Sequence, residues 1–364
     1  MMKKNKPKVA LIGAGGMARY HIEGFREGGA DVVAVCDLNL AAAEDCAKKF
    51  SVSAVYTSAD EMISSEKLDA VSVLTPNAFH APMALKALKN SLHVYCEKPP
   101  ALNAKETLAM ARAAERAKKR LMFGFCNRAR PESAALRKEI ISGRFGKIDS
   151  AQALWVRRTG IPGYGGWFTT KAVSGGGPLI DLLHGIDLAL WFMGYPKGEY
   201  ALARTFDTLV KDKRFRGPWG IPTFKDGVCD VESASHAFVT LEGGACLTLR
   251  CSWAEMVQRE VMSLSLQGAL AGADITRKFA VDGDDATAED TSFLYKMSSS
   301  GKRIDKPLTD KRDEAMGRVR CAANFVRTIR GREEPLSTPE EAVALMKIVD
   351  AVYMSARKGA PVKI

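Results

Sequence analysis

Lys8-Val-Ala-Leu-Ile-Gly-Ala-Gly-Gly-Met-Ala18 decides how this chain folds. The apolar run 9–12 has the length of a short buried strand. It breaks at Gly13 into Gly13-Ala14-Gly15-Gly16-Met17-Ala18, and a helical pattern follows. Strand, glycine-rich turn and helix in that order make the phosphate-cradling corner of a dinucleotide-binding βαβ unit. Gly13 permits the tight turn, Gly15 lets the backbone approach a pyrophosphate, and Ala18 lets helix and strand pack closely. The pyrophosphate would lie over unpaired N–H groups at the helix N-terminus, around Gly16 and Met17. A second strand, Asp31–Cys36, ends in Asp37, 19 residues after Ala18. An acidic group there accepts hydrogen bonds from ribose hydroxyls and repels a 2′-phosphate. Leu38-Asn39-Leu40 supplies no arginine to bind such a phosphate. The expected cofactor is therefore NAD in preference to NADP. The alternative for Asp37 is an ordinary turn or cap residue before the next helix.

The 364 residues suit two domains, and 46% hydrophobic with 26% charged residues is a globular composition. No apolar run reaches the ~20 residues of a membrane span. The basic start, Met1 to Lys8, precedes too short an apolar stretch for a secretory signal. The eight cysteines show no C-x-x-C pair and no zinc-type Cys/His cluster, so no metal is expected. Free thiols in apolar runs, such as Cys36, Cys246 and Cys251, fit a reducing cytoplasm. The net charge of +11 raises the question of nucleic acid. Yet the basic residues are dispersed, without aromatic interleaving, so neither a nucleic-acid nor a membrane partner is expected. The charge instead draws in an anionic cofactor or substrate.

Up to about residue 124, strands and helices alternate, which argues for a parallel sheet with helices on both faces. Expected strands are 9–12, Asp31–Cys36, Ala54–Tyr56, 70–74, His93–Cys96 and 121–125. Ligands of such sheets bind at the carboxyl ends of strands. Thr75-Pro76-Asn77 and Glu97-Lys98-Pro99 stand at two of those ends, and sequence leaves the isomer of the Lys98–Pro99 bond open. Beyond residue 125 the pattern changes to a helix at 131–142 and strand-like runs at 150–156, 201–209, 231–241, 245–253 and 261–267. Gly243-Gly244 is a hairpin signal. Runs without intervening helices indicate an antiparallel sheet. Two helices close the chain, near 312–330 and at Pro339–Lys358. The expected domains are 1–124, dinucleotide-binding, and 125–364, α+β, with its C-terminal helices packing back.

A second constellation lies in Ser174-Gly-Gly-Gly-Pro-Leu-Ile-Asp-Leu-Leu-His-Gly-Ile-Asp187. Three glycines read as a flexible turn, and a helix is expected from Leu179. Asp181, His184 and Asp187 then recur every third residue, so neighbours share a face. A histidine between carboxylates on an apolar helix is costly to bury without a role.

Gly13-x-Gly15-x-x-Ala18, Thr75-Pro-Asn77-x-x-His80, Glu97-Lys98-Pro99 and Gly175-Gly-Gly177…Asp181…His184…Asp187, in that order, resemble the glucose–fructose oxidoreductase / inositol dehydrogenase / MocA (Gfo/Idh/MocA) family. The resemblance implies a Rossmann domain followed by an α/β domain with an open, mostly antiparallel sheet. It implies oxidation or reduction of sugars, cyclitols and related polyols with NAD or NADP. It also implies a homodimer or homotetramer through the open sheet face. Lys98, Asp181 and His184 would form the catalytic set: His184 as base, Lys98 as the charge beside the reacting oxygen, Asp181 orienting His184 or binding a neighbouring hydroxyl. The family's usual Asp-to-His spacing is four residues and here it is three, which bears on Asp181. Asn77 and His80 would line the cofactor crevice, with helix capping as the alternative for His80. Substrate contacts are expected from Arg128, Arg157, Arg158, Tyr164, Trp167 and Lys171, the glycine-rich, aromatic stretch 160–168 serving as sugar platform or as packed loop. Two rivals remain: a dinucleotide-sensing regulator without turnover, and a glycosidase working by transient oxidation.

Overall fold

A computed structural model describes residues 6–279 and 288–364. These residues form two compact units. One comprises the chain through Ala129 together with Ala315–Val343; the other comprises Arg130–Glu314 together with Ala344–Ile364.

The first unit is built on a parallel sheet of β1 (Lys8–Ile12), β2 (Asp31–Cys36), β3 (Ala54–Tyr56), β4 (Ala70–Val73), β5 (His93–Cys96) and β6 (Leu121–Phe123). Their order is β3-β2-β1-β4-β5-β6, so the winding reverses between β1 and β4. Val9, Ala10, Leu11, Ala70, Val71 and Val73 have no exposed surface, as a sheet covered on both faces requires. The last turns are tied in a row. Gly13 N–H donates to the Cys36 carbonyl at 2.7 Å, Leu74 N–H to Ile12 at 2.8 Å, Glu97 N–H to Val73 at 2.9 Å, and Gly124 N–H to Cys96 at 2.8 Å. β4 and β6 are thus shorter than the apolar runs 70–74 and 121–125, because Leu74 and Gly124 already belong to the turns.

Helix Arg318–Ile329 completes this unit by packing on helix Ala18–Gly28. The approach is close because glycine permits it. A Cβ on Gly24 would stand 2.4 Å from the Val319 carbonyl oxygen, and one on Gly28 2.6 Å from Val326 Cβ. Phe25 meets Tyr95 and Phe325 in the core behind it. Residues 315–343 therefore belong to the first unit, so the chain does not divide into two contiguous halves.

The second unit carries β7 (Ile148–Val156), β8 (Gly198–Phe206), β9 (Ala234–Leu241), β10 (Ala245–Ser252), β11 (Val261–Gly268), β12 (Gly272–Lys278), β13 (Glu289–Met297), β14 (Arg303–Pro307) and β15 (Val362–Lys363). Their order is β14-β13-β12-β11-β7-β10-β9-β8-β15. β7 and β10 run parallel and the other neighbours antiparallel. Gly243 and Gly244, both with positive φ, turn β9 into β10 as expected. β12, β13 and β14 were not anticipated. Buried Arg277 and Ser292 take inward positions while Phe293 and Tyr295 share the outward face with Asp274, Thr276 and Asp305, so the apolar alternation is broken.

Helix His184–Met193 packs on β7 and β11. One expectation is corrected here: no single helix runs from Leu179. Pro178–Asp181 forms a short first helix and His184 opens the next, with Leu182 at φ −91°, ψ 19° between them. Gly185 N–H bonds back only three residues, to Leu182, and Asp181 turns aside to other partners. Asp181 and His184 therefore do not share a helix face. The opposite face of the sheet exposes Tyr200, Leu202, Phe206 and Phe238, with Leu202 and Phe238 directly paired across β8 and β9.

The Gly24 contact yields a test of the packing. Gly24→Ala is expected to destabilise the protein by about 1–3 kcal/mol, the usual cost of overpacking a tight core. Urea unfolding monitored by circular dichroism measures it.

Candidate functional site

The row of strand ends brings four sequence segments together in the first unit. At β1, Gly13 has φ 108°, and a Cβ there would lie 2.7 Å from the Leu74 carbonyl oxygen. Only glycine fits on both counts. Gly15 and Gly16 differ: an added Cβ would meet nothing within 4 Å. No packing among the described residues demands glycine there, and the backbone at these two positions stands open to a ligand. Met17 stands at the cap of helix Ala18–Gly28, and no side chain caps that helix. Ala18 is buried against the sheet.

At β2, Asp37 accepts two backbone hydrogen bonds, from Ala14 N–H at 2.8 Å and Asn39 N–H at 2.9 Å. It braces the glycine-rich turn from the side, and each oxygen keeps a second lone pair for a hydroxyl. The helix cap is Asn39, which accepts from Ala42 N–H. At β4, Pro76 and buried Asn77 lead into a short 3-10 turn, and Thr75 Oγ1 is buried with no hydrogen-bond partner among the described residues. His80 is buried with both ring nitrogens on carbonyl oxygens, Pro99 at 2.6 Å and Thr75 at 2.8 Å. Burial pushes its pKa down, and the two carbonyls oppose that. His80 thus staples two loops to each other rather than lining an open crevice.

At β5, Glu97 is buried beneath half-buried Lys98, and the Lys98–Pro99 bond is cis. Glu97 Oε1 lies 2.8 Å from His21 Nε2, and Oε2 accepts the Lys98 N–H at 3.0 Å. His21 Nδ1 is 2.7 Å from Ser72 Oγ. Burial raises the Glu97 pKa, but the bond and charge of His21, with those of Lys98, outweigh it and hold the carboxyl at about 2. These features fit a dinucleotide: an open glycine cradle, an uncapped helix start, an acceptor at β2 and an orphaned hydroxyl at β4.

In the second unit, the glycines before Asp181 are set by close packing, not by flexibility. A Cβ on Gly176 would stand 2.0 Å from the Tyr353 hydroxyl, and one on Gly177 2.2 Å from the Glu232 carbonyl. Buried Glu232 accepts from Gly177 N–H, Leu179 N–H and Tyr353 O–H. Burial raises its pKa, and those donors resist the rise. Asp181 Oδ2 accepts from Trp253 Nε1 at 2.9 Å and lies 3.6 Å from the Arg157 guanidinium. Arg157 and Trp155 both donate to Glu260 Oε1, and the Trp155 ring lies 6.3 Å from His184. His184 is 9% exposed, and Asp187, fully buried, accepts from Tyr195 O–H at 2.5 Å.

The remaining substrate candidates fall differently. Arg128 lies in the first unit, its side chain fully buried, with Glu341 Oε2 at 2.6 Å and the Leu336 carbonyl at 2.7 Å. It has no surface to offer a substrate. Tyr164 is buried and donates to the Asp212 carbonyl, with burial pushing its pKa up to about 12. Gly163, Gly165 and Gly166 abut Ile221 and Gly227, so 160–168 is a packed loop. Trp167 stacks on Phe168 and stays half-buried; Arg158 and Lys171 are exposed. Sequence reasoning missed His21, Ser72, Glu232, Trp253 and Glu260. Only His21 carried a signal, one turn after Ala18 on the buried face of the fingerprint helix.

Two tests follow from this geometry. Arg128→Met is expected to cost about 3 kcal/mol of stability, because it leaves Glu341 without its buried partner, while KM stays unchanged; urea unfolding and initial rates separate the two. Glu97 is held below its ordinary 4.5, so its contribution is complete above that pH and is lost as pH falls toward about 2. Glu97→Gln should flatten the acid limb of unfolding free energy across that window, measured by urea titrations along a pH series.

Comparison with known proteins agrees with this arrangement. The model for the oxidoreductase family, NAD-binding Rossmann fold, matches residues 7–125, and that for the oxidoreductase family, C-terminal alpha/beta domain, matches 137–364. The D-glucoside 3-dehydrogenase of Escherichia coli (strain K12) is 29% identical over 369 residues, covering 100% of this chain and 99% of that protein. The inositol 2-dehydrogenase 4 of Saccharopolyspora erythraea is 30% identical over 264 residues, 72% of each chain. Among solved structures, levoglucosan dehydrogenase in complex with NADH superposes with a TM-score of 0.85 at 19% identity, covering 99% of both chains. The chain belongs to the Gfo/Idh/MocA family of oxidoreductases.

Proposed function

We propose that this protein is a dehydrogenase or reductase of a CH–OH carbon in a sugar, cyclitol or related polyol, with NAD preferred over NADP. The row of strand ends carries the reading: the glycine cradle, Asp37, Thr75-Pro-Asn77 and Lys98 all leave one edge of one sheet. Dehydrogenase relatives of a glucoside and an inositol support the substrate class. The dinucleotide, when bound, supplies the redox partner, and the rest of the chemistry falls to this chain.

Gly15, Gly16, Met17 and Ala18 hold the pyrophosphate on backbone N–H groups. Asp37 accepts from the ribose hydroxyls, and its charge beside exposed Leu38 disfavours a 2′-phosphate. Lys98 donates to the reacting oxygen and stabilises negative charge there as the hydroxyl loses its proton. His184 takes that proton. Asp181, already engaged by Trp253 and Arg157, offers a remaining lone pair to a neighbouring substrate hydroxyl instead of orienting His184. Arg157, Arg158, Trp167 and Lys171 are the surviving substrate candidates. Dinucleotide binding falls to the first unit, substrate and subunit contact to the second. Copies pair through the exposed face of Tyr200, Leu202, Phe206 and Phe238 into a homodimer or homotetramer, and the eight free thiols suit the cytoplasm.

The test is a titration with NADH and NADPH followed by a polyol panel read at the reduced-nicotinamide absorbance. NADH should bind more tightly, and Asp37→Ser should narrow the gap. Lys98→Met and His184→Ala should each lower kcat by about 10²-fold or more, the scale of general acid–base catalysis. Parent-like turnover in both variants overturns the mechanism, and tighter NADPH binding overturns the role of Asp37.

A further inference from the structure

We infer that His21 is a positioning residue for Lys98, acting through Glu97. The inference rests on the reading of Lys98 as the group that meets the reacting oxygen.

Three contacts, two of them buried and the third partly so, form a chain of parts from separate elements. Ser72 on β4 meets His21 Nδ1, His21 on the fingerprint helix meets Glu97 Oε1, and Glu97 Oε2 receives the Lys98 N–H. His21 and Ser72 are essentially unexposed, and Glu97 is 9% exposed. The His21 ring is locked edge-on against Tyr95, 4.9 Å between centroids. The Glu97 carboxylate is bounded on another side by Gly124, where an added Cβ would stand 2.9 Å from Oε1. It therefore has one place to sit, and that place sets where the backbone of Lys98 begins.

A buried carboxylate stays ionised only while its donors hold it. Among the described residues, the His21 ring and the Lys98 N–H reach Glu97 at hydrogen-bond distance. Around it stand the charge of Lys98, the buried ring of His80, and the uncharged Tyr95, Cys96 and Cys321. Without His21, only Lys98 opposes burial, the carboxyl is protonated more readily, and its grip on the Lys98 N–H weakens. The same helix opens at the glycine cradle, so one side chain links the cofactor's resting place to the reacting lysine. A displacement of about 1 Å in such a group is worth about 10²-fold in rate.

The experiment uses the full-length enzyme with His21→Leu, His21→Gln and Gly124→Ala beside the parent and Lys98→Met. His21→Leu should lower kcat about 10- to 100-fold with the NADH dissociation constant held within about threefold. The acid limb that His184 already gives the parent should move to higher pH in this variant. His21→Gln, which keeps an N–H toward Glu97, should recover most of the rate. Gly124→Ala displaces the carboxylate from its other side and should reproduce the loss with His21 intact. Independently of turnover, His21→Leu should speed amide hydrogen exchange at Lys98 at least about tenfold over the β1 and β4 amides. Parent-like kcat, pH profile and Lys98 exchange in His21→Leu overturn the inference; should that variant not fold, the same parent-like results in Gly124→Ala overturn it. Full activity in Lys98→Met instead overturns the underlying reading, and the exchange result then still decides whether His21 holds residue 98 in place.

Discussion

Four backbone hydrogen bonds set where the turns of the candidate site begin. They join the first residue beyond each of β1, β4, β5 and β6 to the last carbonyl of a neighbouring strand. Because the bonds are parallel-sheet bonds carried one step past the strands, the turns leave from one level. Glycine cradle, Thr75 turn and Lys98 turn are neighbours for that reason alone. The reversal of winding between β1 and β4 leaves the gap that a ligand needs. Side chains then refine what the backbone has arranged. Asp37 braces the cradle, His80 staples the Thr75 and Pro99 turns, and Glu97 fixes the start of Lys98.

The two units solve the problem of buried charge in the same manner. Glu97 sits beneath Lys98 with a histidine and a backbone N–H. Glu232 sits beneath the Asp181 turn with a tyrosine and two backbone N–H groups. Their pKa values move in opposite directions because their donors differ. An imidazole ring and a nearby ammonium outweigh burial at Glu97, whereas neutral donors do not at Glu232. A glycine crowds each carboxylate, Gly124 at Glu97 and Gly177 at Glu232, since no larger residue leaves them room.

Much of the first unit is legible in sequence because parallel strands covered on both faces are unbroken apolar runs. Residues 9–12 and His93–Cys96 show this plainly. The segments at the strand ends stand out for a related reason: glycine, proline and charge interrupt such runs. β12 to β14 escape notice, since polar Arg277 and Ser292 stand at buried positions and apolar Phe293 and Tyr295 on the outer face, which breaks the period of two. The break between Asp181 and His184 is invisible, because Leu182 and Leu183 suit a helix as well as a turn. Arg128 misleads for want of its partner: Glu341 lies 213 residues away. His21 and Glu97, 76 residues apart, are hidden by the same distance. Local pattern predicts elements, but the pairing of buried polar groups belongs to the tertiary fold.

The helix Arg318–Ile329, lodged against Gly24 and Gly28, has a bearing on how the molecule is made. A polypeptide emerging from the ribosome presents the fingerprint helix early, yet the surface that covers Phe25 arrives only after some three hundred further codons. Throughout that interval an apolar flank of the nascent Rossmann unit stands bare, and an interposed domain of nearly two hundred residues must be threaded out before the flank is sealed. Synthesis from one end to the other therefore leaves the nucleotide-binding unit unfinished until residues 315–343 have been made.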